Sequence, residues 1–355
     1  KAELNSGCVA FVYVSSENGR ELTKRNIVLG RGGSEKPVFT EEYGFITIPW
    51  DVTKIKIGLL FSSVSSAEVY EMKIKTLEVV EVRMLNEVVD GTYVLSLDKE
   101  EEKFDICSRE AKRHGIHLNR WIAVNGYSDE NMKNWNNYME KPWTDLDMRL
   151  GRKAIDKPGA WGYMLTMEEI FKDAIKNKIQ SVAVFDDDFV LSKTFTHDFS
   201  KLLEQIGPNW DVIYLGASQW AWDGIDIEAT EGFYHPTKNT NGTFGVIYKS
   251  TIFEDLLYEI RKMEAPFDSG PLGELVSTKF QKTSYVAYPN IAIANVEKEG
   301  IRDSRNQKEY SKRFQWRLEN FPRWFTNWSL DPKIIRNEWP EDFTLDDVDR
   351  FLGVT

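Results

Sequence analysis

Two rhythms of apolar residues divide the chain. Residues 1 to about 86 carry short apolar runs: Val9, Phe11, Val12 and Val14, then Phe45, Ile46 and Ile48, then Ile55, Ile57, Leu59 and Leu60. A last group runs from Val69, Met72, Ile74 and Leu77 into Val79, Val80 and Val82. Turn signals at Asn18-Gly19 and Gly32-Gly33-Ser34 separate the runs, a spacing that predicts a small all-β, sandwich-like domain over 1–86. The Gly30-Arg31-Gly32-Gly33 stretch lacks the Gly-Lys-Ser/Thr ending of a phosphate loop and reads as a hairpin turn.

From about residue 90 to 300, strands alternate with helices. Tyr93–Leu97 and Trp121–Val124 read as strands, the second ending at Asn125-Gly126. Phe104, Cys107 and Ala111 share one face of a charged helix, and Met167, Ile170, Phe171, Ala174 and Ile175 recur at helical spacing over 160–177. Ser181–Phe185 is a buried strand, followed by a helix marked by Phe199, Leu202, Leu203 and Ile206. Val212–Leu215 and Phe244–Tyr248 are further strands, and Ile252, Phe253, Leu256, Leu257 and Ile260 mark another helix. This alternation predicts an α/β domain with a mostly parallel sheet flanked by helices, with ligands at the carboxyl ends of its strands. Residues 301–355 form a third segment, a basic-aromatic helical extension. Over 300–340 it holds nine Lys or Arg against five Asp or Glu, interleaved with Tyr310, Phe314, Trp316, Phe321, Trp324, Phe325 and Trp328. Packing over the preceding domain is the favoured reading, with peripheral membrane contact through 301–340 as the alternative.

Composition narrows the function. A length of 355 residues favours more than one domain, and 41% hydrophobic with 28% charged residues is ordinary for a folded protein. A net charge of −11 disfavours general binding to nucleic acid. Two distant cysteines, Cys8 and Cys107, argue against a disulfide framework. The start, Lys-Ala-Glu-Leu-Asn, lacks the apolar core of a signal peptide, and the expected location is cytoplasmic. Asn241-Gly242-Thr243 and Asn327-Trp328-Ser329 would be glycosylation sequons only in a secreted chain.

The sharpest chemical feature is Asp186-Asp187-Asp188, directly after the Ser181–Phe185 strand. Three adjacent carboxylates repel one another, and a hard dication such as Mn2+ or Mg2+ relieves that repulsion. Alternation along a strand lets Asp186 and Asp188 converge while Asp187 points elsewhere. An acidic helix start is the plain alternative. His235 is a weaker candidate for a third metal ligand. Ser96, Leu97 and Asn125 at strand ends, together with Asp187, are candidates for nucleotide contacts. Arg302 and Arg305 follow the last strand, and either could take a diphosphate as a bidentate partner. Trp220 and Trp222 could stack on a sugar acceptor or fill the core.

Over about residues 91–305 the chain resembles glycosyltransferase family 25, the group of lipooligosaccharide and collagen galactosyltransferases. Tyr93–Asp98 resembles the family's opening strand, and Arg120–Gly126 its next strand and turn. Gly159-Ala160-Trp161-Gly162-Tyr163 resembles its glycine-containing helix opening, and Phe185–Ser192 its acidic metal motif. Trp210–Gly216 and Thr243–Tyr248 resemble two later strands. The departures are Lys99–Lys103 where an arginine-rich stretch is usual, Thr166-Met167 where relatives carry Ser-His, and Asp186 where many carry Glu. The resemblance implies a GT-A type, Rossmann-like fold, a UDP-sugar donor, a manganese-like cofactor and inversion at the anomeric carbon. It also places Asp268 in the family's late acidic position, as catalytic base.

The expected activity is thus transfer of a hexose, galactose or glucose, from a UDP-sugar to a hydroxyl of a glycan or glycoprotein. Glu274 is the second candidate for the base. Asp268 read as a helix cap before Pro271–Glu274 is the alternative. A carbohydrate-binding protein with a non-catalytic transferase fold is the competing function; a phosphotransferase is disfavoured by the missing phosphate loop.

Overall fold

The computed structural model describes residues 7–15, 21–31, 54–62, 82–226, 230, 232–295 and 307–321. Contacts divide the chain into two units. One comprises Lys1–Glu81, Lys112–His114 and Thr326–Thr355, and the other Val82–Ala111 and Gly115–Phe325.

In the first unit β1 (Gly7–Ser15), β2 (Glu21–Arg31) and β3 (Lys54–Ser62) form one antiparallel sheet in the order β2-β1-β3. β1 and β2 pair across the interval holding Asn18-Gly19, where a turn is expected. Gly30 and Arg31 belong to β2, so the glycine-rich stretch begins inside a strand instead of forming a turn. Gly32 and Gly33, and the apolar runs at 45–48 and 69–80, lie outside the described residues.

The second unit is mixed α/β. Its elements run α1 (Leu85–Val88), β4 (Gly91–Ser96), α2 (Glu101–Lys112), β5 (Asn119–Ile122), α3 (Asp129–Glu140), α4 (Asp145–Leu150), α5 (Pro158–Lys176), β6 (Ser181–Phe185) and β7 (Phe189–Leu191). There follow α6 (Phe195–Ile206), β8 (Val212–Tyr214), β9 (Ser218–Gln219), β10 (Gly232–Tyr234), β11 (Thr240–Asn241) and β12 (Val246–Lys249). The last are α7 (Phe253–Lys262), α8 (Pro271–Ser277), β13 (Ser284–Tyr288), β14 (Ala292–Ala294) and α9 (Gln307–Arg313).

Seven strands form the central sheet in the order β10-β13-β8-β12-β6-β4-β5. β4, β5, β6, β8 and β13 run one way, while β12 and β10 run against them. Alternation sends Val182, Val184, Val212, Tyr214, Val246 and Tyr248 to one face, where α5, α7 and α8 cover them. Ala183, Phe185, Ile213 and Ile247 face the other side, under α2 and α6. With both faces covered, the strands are apolar throughout, as Ser181–Phe185 shows: all five residues are buried.

Two local devices shape the carboxyl edge of this sheet. The turn between β6 and β7 carries the three aspartates, and β7 is held by antiparallel pairing to β14. The Asn295 N–H donates to the Asp188 carbonyl at 2.7 Å, and Cys107 Sγ to the Asp187 carbonyl at 3.4 Å. Next to it, the loop after β5 passes so close to the first turns of α5 that neither Gly126 nor Gly162 has room for a side chain. A Cβ on Gly126 would lie 1.8 Å from the Pro158 carbonyl oxygen, and one on Gly162 2.5 Å from that of Val124. Thr166 bolts the contact, accepting from the Val124 N–H and donating to the Gly162 carbonyl, both at 2.9 Å.

The described part of the basic-aromatic segment sends its rings into the core and leaves its charged residues exposed. Phe314, Trp316 and Phe321 are buried with Val190, Phe244 and Ile293, and Trp316 Nε1 donates to the Ala217 carbonyl at 2.8 Å. These rings are unavailable to a membrane surface, because they cover the β7–β14 ribbon. Trp324, Phe325 and Trp328 lie outside the described residues. No helix among the described residues is long and apolar enough to cross a membrane.

Candidate functional site

Asp186 leaves β6 on the same face as Val182 and Val184, by strand alternation. Its Oδ1 is sealed from solvent and has no hydrogen-bond partner. Burial first, then the neighbouring Asp188 and Asp187 charges, push the Asp186 carboxyl well above the usual carboxylate range, while the Tyr163 hydroxyl pulls partly the other way. Asp187 leaves the cluster in the opposite direction, meeting Lys103 Nζ of α2 at 3.5 Å. Burial disfavours the Lys103 charge, but Asp187 and Glu100 outweigh it and hold its pKa above the ordinary lysine value.

Asp268, 82 positions further along, lies close enough to Asp186 for its charge to raise the Asp186 pKa further. Its carboxylate is fixed by two backbone donors, Ser269 N–H on Oδ1 at 2.8 Å and Gly242 N–H on Oδ2 at 3.2 Å. It is not a helix cap: α8 starts from Gly270, and the carboxylate is turned toward the β11–β12 loop instead. Glu274 lies exposed on α8, where its main-chain carbonyl accepts from the Thr278 hydroxyl at 2.6 Å.

Ser96, Leu97 and Asn125 lie at the same edge, after β4 and β5. Ser96 is buried, with its hydroxyl donating to the Glu100 carbonyl at 3.0 Å. The Leu97 carbonyl and its neighbour at Asp98 both accept from Arg120, each at 2.9 Å. Asn125 is exposed, and its Oδ1 accepts from the Tyr127 N–H at 3.0 Å. Arg302 and Arg305 lie outside the described residues.

One expectation needs correction. His235 is no partner of the aspartates. It follows β10, the far edge strand, four strand spacings from β6, roughly 19 Å at the usual separation. Its Nδ1 bonds the Ser284 carbonyl at 2.9 Å and its ring packs on Tyr285. Trp220 and Trp222 both take part in aromatic packing. Trp220 meets Tyr310 and Phe314 edge-on with Arg313 over its ring, and Trp222 sits against Tyr234 and Tyr288. Both rings remain half-buried.

Several residues near the acids escaped the sequence reading: Lys103, Arg120, and the tyrosines Tyr163, Tyr214 and Tyr248. The tyrosine signal was present, since Tyr214 and Tyr248 alternate with Ile213 and Ile247 and so share the Asp186 face.

The chemistry of this edge fits a hard dication. An orphaned, desolvated carboxylate oxygen beside further carboxylates is costly alone, at about 1–3 kcal/mol for the lost hydrogen bond, and is relieved by a positive ion. Among the described residues no three acidic, His or Cys side chains already converge as a ligand set. Magnesium-like ions commonly take one or two carboxylates and complete their shell with substrate phosphates and water. Asp186 and Asp188 meet that requirement. No protein-family model matches the chain and no curated protein sequence matches it.

Proposed function

We propose that this chain is a metal-dependent, inverting glycosyltransferase of GT-A type that moves a hexose from a UDP-sugar to a hydroxyl of a glycan or glycoprotein. One observation carries the reading. Asp186 and Asp268, distant in sequence, lie within electrostatic reach of each other, and Asp186, directly after a central strand of the α/β sheet, holds a sealed, unpartnered oxygen. Ligands of such sheets bind at that edge.

In this reading Asp186 and Asp188 hold Mn2+ or Mg2+, which would offset the negative charge of the departing diphosphate. The loops after β4 and β5, with Ser96, Leu97 and Asn125, receive the nucleotide. Arg120 holds the first of these loops by its carbonyls, and Thr166 holds the second. Asp268 takes the proton from the acceptor hydroxyl as that oxygen bonds to the anomeric carbon, while the bond from that carbon to the diphosphate oxygen breaks. Its two backbone hydrogen bonds fix the carboxylate orientation.

The test is a screen of UDP-, GDP- and CMP-sugars for hydrolysis or transfer with and without manganese. Manganese-dependent turnover of a UDP-hexose is the expected result. Nucleotide-sugar binding with no turnover on any acceptor supports the non-catalytic, carbohydrate-binding alternative, and no binding of any nucleotide sugar rejects both.

A further inference from the structure

Behind the acidic edge the protein encloses more polar atoms than it satisfies. The hydroxyls of Tyr163, Tyr214 and Tyr248 and the Oδ1 of Asp186 are all sealed from solvent and without hydrogen-bond partners. Tyr214 and Tyr248 are fully buried, at 0% exposure each. All four groups belong to one region. Tyr214 and Tyr248 lie on the sheet face from which Asp186 emerges, and Tyr163 packs against that face from α5. The Phe267 ring, next to Asp268, sits 5.8 Å from the Tyr163 ring and 6.3 Å from the Tyr248 ring. Both Tyr214 and Tyr248 lie within electrostatic reach of the Asp268 carboxylate and of each other. Tyr163 faces Asp186 and Thr243 without attaining hydrogen-bonding geometry.

A single orphaned buried hydroxyl costs about 1–3 kcal/mol, and proteins rarely leave one unpaired. The Tyr214 and Tyr248 hydroxyls, with only the Tyr163–Asp186 pair beside them, are not tolerated dry. Because the three tyrosine hydroxyls are closed to bulk solvent, neither a sugar nor a nucleotide reaches them from outside, whereas trapped water with several polar partners does satisfy such groups.

We propose that Tyr214 and Tyr248 are positioning residues for Asp268, acting through ordered water in an enclosed chamber that they share with Tyr163 and Asp186. The water accepts from or donates to the tyrosine hydroxyls and donates to Asp268, adding to the two backbone donors that already orient it. The positioning role rests on the transferase reading; the filled chamber does not.

The test combines a crystal structure of the full chain, at a resolution that shows water, with kinetics of Y214F and Y248F. Phenylalanine keeps the ring contacts, including that of Tyr248 with Phe171 at 5.3 Å, so the fold is retained while the hydroxyl is lost. The expected result is water within hydrogen-bond distance of both a tyrosine hydroxyl and Asp268. With it should come a kcat about tenfold lower in each variant and an unchanged donor KM, below the 10²–10⁴-fold of a full acid–base group. A dry chamber overturns the proposal, and so does an unchanged kcat in both variants. If the wild-type chain turns over no nucleotide sugar, the transferase reading and the positioning role fall together, while the crystal structure still decides whether the chamber holds water.

Discussion

At the scale of single residues, Asp186 is where burial and charge disagree most. A carboxyl whose folded pKa lies above its ordinary value of 3.8 binds its proton more tightly in the folded state. That contribution favours the fold at low pH and is lost as pH rises from the unfolded value through the raised one. Asp186→Asn cannot lose this proton. In the presence of a chelator its Tm relative to wild type should therefore climb between pH 4 and pH 8, each kcal/mol regained being worth about 2–4 °C in a unit of this size. Manganese should raise the wild-type Tm and leave that of the variant nearly unmoved. Thermal denaturation at several pH values checks both, and a Tm difference independent of pH would contradict the burial argument. Asp268 makes a separate prediction. Asp268→Asn keeps the side-chain shape and one of the two backbone hydrogen bonds, so metal-dependent nucleotide binding should persist while kcat falls by 10²–10⁴-fold, the range for a lost general base. Unchanged turnover removes Asp268 as the base.

Elements carry the site as much as residues do. The β6 turn is legible because five consecutive buried residues ending in three acids have few other readings, and α5 because its apolar spacing is regular. The direction of β12 is not legible: Val246-Ile247-Tyr248 presents the same alternation whichever way it runs, and only its pairing with β6 and β8 makes it antiparallel. The same limit explains His235. A lone histidine after a short aromatic run carries no sign that its strand is the far edge of the sheet. Helices α3 and α4, rich in polar residues and largely exposed, gave no periodic signal strong enough to separate them from loop. Gly126 and Gly162, by contrast, were visible as motif residues before their reason was: two backbones in contact. Gly162→Ala places a Cβ 2.6 Å from the Gly126 nitrogen, against backbone that cannot step aside cheaply. The expected cost is about 1–3 kcal/mol, with weaker nucleotide binding because the Asn125 loop must shift. Chemical denaturation and a UDP titration measure the two effects, and wild-type values for both would show that the contact does not hold the loop.

For the whole molecule, every described candidate for the chemistry belongs to the second unit, Asp186, Asp187, Asp188 and Asp268 included. A fragment spanning residues 82–325 should therefore fold cooperatively and keep manganese-dependent UDP binding within about threefold of the full chain. A fragment that binds only when residues 1–81 are restored would assign part of the site to the first unit. The acidic net charge of −11 is consistent with a surface that does not attract polyanions, so binding of an anionic nucleotide sugar depends on local groups such as the metal ion and nearby cations.

The most direct measurement is anomalous diffraction from a crystal of the full chain soaked with manganese and UDP. The proposed function predicts one manganese peak at coordination distance from carboxylate oxygens of Asp186 or Asp188 and from the UDP phosphates, with the nucleotide lying along the ends of β4 and β5. Manganese absent from these aspartates in the presence of bound UDP, or UDP held at another face of the sheet, would contradict it.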